Sequence, residues 1–204
     1  MTKIIDVNAW LKRQTIWFLA AFMAVFITPS ASAESERADK YEKKRNDIRK
    51  LAKNTLERLY EMTPGAEEAI EDAAGYAVFN NFGLKIFIAG GGRGSGIAVD
   101  NSTGEEIFMN MLEVQAGLGM GVKKFSLVWV FETESALDHF VNSGWELGAQ
   151  ASAAAKVNDD AGAALQGAMA VAPGVWLYQL TDAGLALELT AKGTKYYKDK
   201  KLNE

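Results

Sequence analysis

The chain has 204 residues, a formal net charge of −4, no cysteine, one histidine, three prolines and 19 glycines. Without cysteine there is no disulfide framework, no thiolate zinc site and no thiol nucleophile, and with His139 alone a His-rich metal cluster is excluded. Length and an ordinary 49% hydrophobic content point to one domain or two small ones.

In chain order, the first feature is an expected export signal over residues 1–33. Lys12 and Arg13 precede the apolar run Ile16–Ile27, Pro29 follows it, and Ala31-Ser32-Ala33 offers an A-x-A cleavage pattern. The run is 12 residues, short of the roughly 20 that a membrane-spanning helix needs. Cleavage near Ala33 would send a chain of 19 basic and 25 acidic residues to the periplasm or outside. That acidic balance argues against nucleic acid as a partner.

Residues 34–74 read as a helical lead-in. From Glu34 to Met62 there is neither Gly nor Pro, and Tyr41, Ile48, Leu51, Leu59 and Met62 recur at helical spacing as a narrow apolar stripe. Within it, residues 40–53 carry Lys40, Lys43, Lys44, Arg45, Arg49, Lys50 and Lys53 against Glu42 and Asp47, a local charge of +5. Such a helix can lie on an anionic lipid surface, where each nearby cation contributes about 1 kcal/mol. It can equally pack its stripe on its own domain and solvate its charges. Thr63 as cap and Pro64 as first helical residue predict a short second helix that ends before Gly75.

Residues 75–204 read as mainly β. Expected strands are Tyr76–Asn80, Leu84–Ala89, Gly96–Asp100, Glu106–Met111, Glu113–Val122, Lys124–Glu132, Trp145–Ala155, Val175–Thr181 and Leu185–Ala191, with Asn101–Gly104 as a turn. Thr133–Asn142 breaks the pattern and predicts a helix capped by Thr133. Gly117, Gly119 and Gly121 would thin one face of a strand, as would Ala149, Ala151, Ala153 and Ala155 in another. The resulting fold class is α+β: a curled, barrel-like antiparallel sheet with an N-terminal amphipathic helix, a short second helix and one mid-domain helix. A membrane barrel is disfavoured by the charged helical opening and by the polar ending Lys198–Glu204.

Motifs for chemistry are sparse. Gly90–Gly96 reads as a flexible glycine-rich connection; it is neither a Walker motif nor a dinucleotide fingerprint, but with Arg93 it could form an anion-binding nest. No G-x-S-x-G elbow is present, and Asp159-Asp160 is too poor in ligands for calcium. No cofactor, metal or catalytic residue is expected.

In sum, Gly75–Phe79, Gly90–Gly96, Gly117–Gly121 followed by Leu127–Phe131, Gly144–Ala149, Val175–Thr181, Gly184–Leu187 and Gly193–Tyr197 stand in an order that resembles the SYLF domain. The resemblance spans nearly all of residues 36–204 and suggests the bacterial exported branch. It implies a non-enzymatic, lipid-binding domain; eukaryotic relatives bind phosphoinositide membranes through an N-terminal amphipathic helix, and some bind actin filaments. Transferred to this chain, it points to the basic segment Lys40–Lys53 and an anionic phospholipid surface. The alternative is a structural or protein-interaction module with a partner in the cell envelope.

Overall fold

The computed structural model describes residues 31–86, 89–116, 121–143, 146–147, 165–186 and 193–204. Residues 1–40 and 41–204 form two compact units. Most of the expected signal, the Asp159-Asp160 pair, Gly117, Gly119 and the alanine face at 149–155 lie outside the described residues.

Helix α1 runs Ala31–Met62, as the absence of Gly and Pro predicts, and α2 runs Gly65–Glu71. At the start of α2 the structure departs from expectation. Pro64 occupies the cap position with no side-chain cap bond, while the buried Thr63 accepts the Ala66 N–H through its backbone oxygen. Strands β1 (Gly75–Ile86), β2 (Ala89–Asp100), β3 (Glu106–Ala116) and β4 (Gly121–Phe131) follow. Helix α3 (Glu134–Ser143) is capped as predicted, with Thr133 Oγ1 accepting the Ala136 N–H at 3.2 Å. Short strands β5 (Glu146–Leu147), β6 (Met169–Ala172), β7 (Val175–Thr181), β8 (Gly184–Leu185) and β9 (Thr194–Lys198) complete the described elements.

All pairings are antiparallel, in the order β5-β9-β3-β2-β1-β4-β7-β6, with β8 on β7. Two pairs of expected strands are single strands: Tyr76–Asn80 and Leu84–Ala89 join in β1 through Asn81–Gly83, and Glu106–Met111 joins the start of Glu113–Val122 in β3, while β2 extends the expected Gly96–Asp100 back through the whole of Gly90–Gly96. The glycine-rich segment is therefore no loop. Its residues pair with β1 on one side and β3 on the other, so its backbone is committed to ladders and forms no nest.

Ring distances show the curl. Tyr196 on β9 and Trp129 on β4 are separated by three intervening strands, which in a flat sheet would place them roughly 19 Å apart at about 4.8 Å per strand. Their ring centroids are 5.2 Å apart, and Tyr196 also meets Phe79 on β1 at 4.9 Å. The sheet thus wraps its concave face around Phe79, Trp129, Phe131 and Tyr196, and α3 closes that face with Leu137, Phe140 and Val141. Gly96 makes the wrapping possible: a Cβ there would lie 2.5 Å from the Phe79 ring and 2.2 Å from the Val78 carbonyl oxygen. Burial pushes the Tyr196 hydroxyl far above the usual phenol range, with the nearby Glu113 adding to the shift.

The convex face carries a second core. Val78, Ile97, Phe108, Val128, Val130 and Tyr178 pack there beneath Ile48, Ala52 and Leu59 of α1 and Ile70 of α2. Burial alone pushes the Tyr178 hydroxyl up to about 12.

Candidate functional site

The apolar stripe of α1 is spent on the sheet. Ile48 and Leu59 are buried, Tyr41, Leu56 and Met62 are partly buried against the convex core, and only Leu51 remains 40% exposed. The stripe therefore belongs to the domain interior in this conformation, so the alternative of intramolecular packing describes the helix here.

Several expected lipid-binding cations are likewise engaged with the domain. Lys44 Nζ pairs with Asp199 Oδ2 at 2.9 Å, and Arg45 Nε donates to the Leu202 carbonyl oxygen at 2.8 Å. Arg49 Nε donates to Glu106 Oε2 at 2.7 Å, and its guanidinium carbon stands 5.3 Å from the Phe108 ring centroid. Lys53 lies 3.8 Å from Glu57 along the helix. Lys40, Lys43 and Lys50 are exposed, with no ion-pair partner among the described residues. The residues after β9 complete the docking. Asn203 accepts the Phe108 N–H at 2.9 Å and donates to the Phe108 carbonyl at 2.8 Å, while Leu202 is buried. Asp199 is pushed up by burial, but the bonds from Lys44 and Asn110 outweigh that and hold it below the usual carboxylate range.

Beside α1 the convex face changes character along its strands. In one row, Val78 pairs with Ile97 and Val128, all buried. Two residues on, Asn80 pairs with Ser95 and Ser126; two further, Phe82 pairs with Arg93 and Lys124. Alternation along a strand puts the β2 and β4 members of these rows on the same face. Leu51 and Arg58 of α1 form one wall of the resulting open cleft of about 640 Å³, and Leu180, Thr181 and Asp182 bound its end. Ser126 Oγ donates to Asn80 Oδ1 at 2.6 Å, and Arg58 Nη2 donates to the Thr181 carbonyl oxygen. Arg93, expected as an anion ligand through a glycine loop, instead projects from mid-strand, exposed, into this cleft. Sequence reasoning missed its companions Arg58, Lys124, Ser95 and Ser126. Alternation alone could have placed Lys124 with Ser126 and Arg93 with Ser95, but not the two strands beside one another.

The concave face holds a smaller polar group. Asn81 Nδ2 donates to Glu113 Oε2, and both side chains are buried. Gly92 leaves them room, since a Cβ there would stand 2.9 Å from the same carboxylate oxygen. The lone histidine lies on the exposed side of α3, its Nδ1 3.0 Å from Ser143 Oγ. Ser95 faces the convex cleft, so the two do not meet as nucleophile and base. Among the described residues no cluster of three His, Asp or Glu could hold a metal ion, and no helix is long and apolar enough to cross a membrane.

Two comparisons with known proteins bear on this arrangement. Residues 112–204 match the model of the family described as "Ysc84: Las17-binding protein actin regulator". That stretch holds Lys124, Ser126 and the end of the cleft, while α1, β1 and β2 precede it. The chain is also similar to a protein named beta cell expansion factor A from Aeromonas veronii, 32% identical over 158 residues, or 77% of this chain. The alignment spans 58% of that relative's length. With the curled antiparallel sheet and its N-terminal helix, these matches make the chain a member of the SYLF family, as its motif order suggests.

Proposed function

We propose that the protein is a non-enzymatic module that associates with anionic phospholipid surfaces in the cell envelope, after export directed by residues 1–33. The observation that supports the reading is the positive charge of residues 40–53 of α1, seven basic against two acidic residues, which pairing of Lys44 with Asp199 and of Arg49 with Glu106 lowers but does not cancel. Lys43 and Lys50 face solvent beside the exposed Leu51 on an otherwise acidic chain. In this reading the helix contributes headgroup contacts while its stripe stays on the sheet. Membrane association then needs no undocking and depends on charge more than on inserted apolar area.

Vesicle co-sedimentation of the full chain tests it. Binding should be stronger to vesicles of mixed phosphatidylcholine and phosphatidylglycerol than to phosphatidylcholine alone, and the difference should fade with added salt. Reversing Lys43 and Lys50 to Glu should weaken the anionic component by at least about tenfold, at roughly 1 kcal/mol per cation. Equal binding to both vesicle types, or indifference to the double reversal, would overturn it. A second reading, docking to an envelope protein, draws on the same helix being folded onto the domain. It predicts no vesicle affinity at all. The family description names an actin regulator, and any contact of this chain with actin-like filaments rests on that analogy alone.

A further inference from the structure

We propose that the groove on the other side of α1 from the polar cleft is a binding site for a neutral acyl ester, whose carbonyl oxygen is held by the hydroxyls of Tyr60 and Tyr76. The first support is the shape of the surface that α1 leaves uncovered. Val78, Ile97 and Phe108 form one buried row beneath the helix. Two residues along the strands, the row Tyr76, Val99 and Glu106 stands at the helix edge, where Tyr76 and Val99 are only partly buried. Together with Ala52, Leu56 and Tyr60 of α1 and with Ile97, these residues line a groove of about 330 Å³. At about 30 Å³ per water molecule, that is room for roughly ten non-hydrogen atoms.

The second support is the polarity of the walls. Among the described lining residues, Arg49 and Lys53 are cationic, and each faces a carboxylate. Arg49 Nε meets Glu106 Oε2 at 2.7 Å, and Lys53 Nζ lies 3.8 Å from Glu57 Oε1. A charged ligand is therefore not called for, and an ion would lose hydration against a largely apolar floor. The two tyrosines differ from their surroundings. Neither hydroxyl makes a hydrogen bond to a described residue, although both are partly withdrawn from water. Burial is the largest cause that raises both above the usual phenol range, Tyr60 to about 12, and the nearness of Tyr76 adds to the shift of Tyr60.

Two protonated O–H donors, one from the helix and one from the sheet, thus converge on an apolar groove. A carbonyl oxygen has two lone pairs and can accept from both. Its alkyl chain then covers Ala52, Leu56, Ile97 and Val99. An ester brings no N–H that would need an acceptor in turn. A carboxylate is disfavoured, because Glu67 and Glu71 act on Tyr60, and Glu106 on Tyr76, with the sign that repels an anion.

Free esters and glycerolipids share this chemistry, and the experiment separates them. The full chain, labelled at its methyl groups, is titrated with methyl hexanoate, with hexanoate, and with dihexanoylphosphatidylcholine below its micelle concentration. Binding is read from the methyl resonances of Leu56, Ile97 and Val99, which survive in every variant. The variants are Tyr60→Phe, Tyr76→Phe, the double Phe variant, and the helix reversal Lys43→Glu/Lys50→Glu. Phe keeps each ring and removes only the hydroxyl, so the melting temperature should stay unchanged.

Support is a saturable shift with an ester that weakens about threefold in each single Phe variant and at least about tenfold in the double. The helix reversal should leave it unaltered, and hexanoate should bind more weakly than methyl hexanoate. Tyrosine-dependent binding of the dihexanoyl lipid assigns the ester to a glycerolipid; binding of methyl hexanoate alone assigns it to a free compound. The site does not rest on the exposed lysines of α1. If anionic vesicles fail to bind while an ester does, the membrane reading falls and the groove stands. The proposal is overturned if neither ester shifts these methyls, if the double Phe variant binds like the parent, or if hexanoate binds as tightly as its ester.

Discussion

The two faces of one sheet are built to opposite rules. The concave face encloses Phe79, Trp129, Phe131, Phe140 and Tyr196, with ring centroids 4.9–6.4 Å apart. The convex face is apolar and buried where α1 and α2 cover it, and beyond the helix its described side chains include Asn80, Ser95, Ser126, Arg93 and Lys124. Since the strands are shared, the difference lies wholly in alternate residues. It teaches that the inner positions of β1, β2 and β4 answer to packing, whereas the outer positions beyond Val78 answer to solvent.

Mutations on the inner face should therefore be the most damaging. Trp129→Ala removes the side chain that meets Phe131, Phe140 and Tyr196 at once. A cost of about 3–5 kcal/mol is expected, a large part of a typical domain's stability, read as a drop of roughly 6–20 °C in melting temperature. Gly96→Ala should cost about 1–3 kcal/mol by overpacking, because the new methyl would press on the Phe79 ring and the Val78 carbonyl. A neutral result at either position would break the contrast between the faces, given that Arg93→Gln, at an exposed position of β2, is expected to melt like the parent.

The smallest effect concerns the edge of the convex face, where Asp199 holds Lys44. Asp199→Ala should cost at most about 1 kcal/mol at neutral pH. The sign of its pH dependence is set by the lowered folded-state value. The contribution is present above the unfolded carboxylate value near 4 and is lost as pH falls through the lower folded value. Denaturant melts of parent and variant should therefore converge in acid, and a gap that widens there would contradict the assignment.

How far these faces were legible in the sequence varies with the range of the interactions that make them. The helices are local objects, and their limits follow from Gly, Pro and capping residues to within a few positions: Thr133 caps α3 as read. The long strands are not local. Asn81–Gly83 and Gly90–Gly96 look like breaks because glycine and asparagine are poor strand formers alone, yet each has partners on both sides that satisfy its backbone. Strand β9 was missed although Thr194 and Tyr196 alternate with Lys195 and Tyr197 in burial, a signal of only five residues. The basic character of α1 was plain, but which cations would be taken up by Asp199, Leu202 and Glu106 depended on residues more than 50 positions away. Arg93 was read as an anion ligand for a reason the strand removes, and its companions became visible only through the strand register.

The docking of α1 carries a consequence for the order of folding. Its ties to Asp199 and Leu202 join residues 155 and 157 positions apart. Loop closure over such a span is slow compared with helix formation. Until β9 and the residues after it arrive, the stripe of Ile48, Leu51, Leu56 and Leu59 can be formed as a helix yet has only part of its cover. A chain whose segment after β9 has not yet docked therefore lacks the Asp199 and Leu202 ties of α1, and the last residues to arrive are the ones that fasten the first helix.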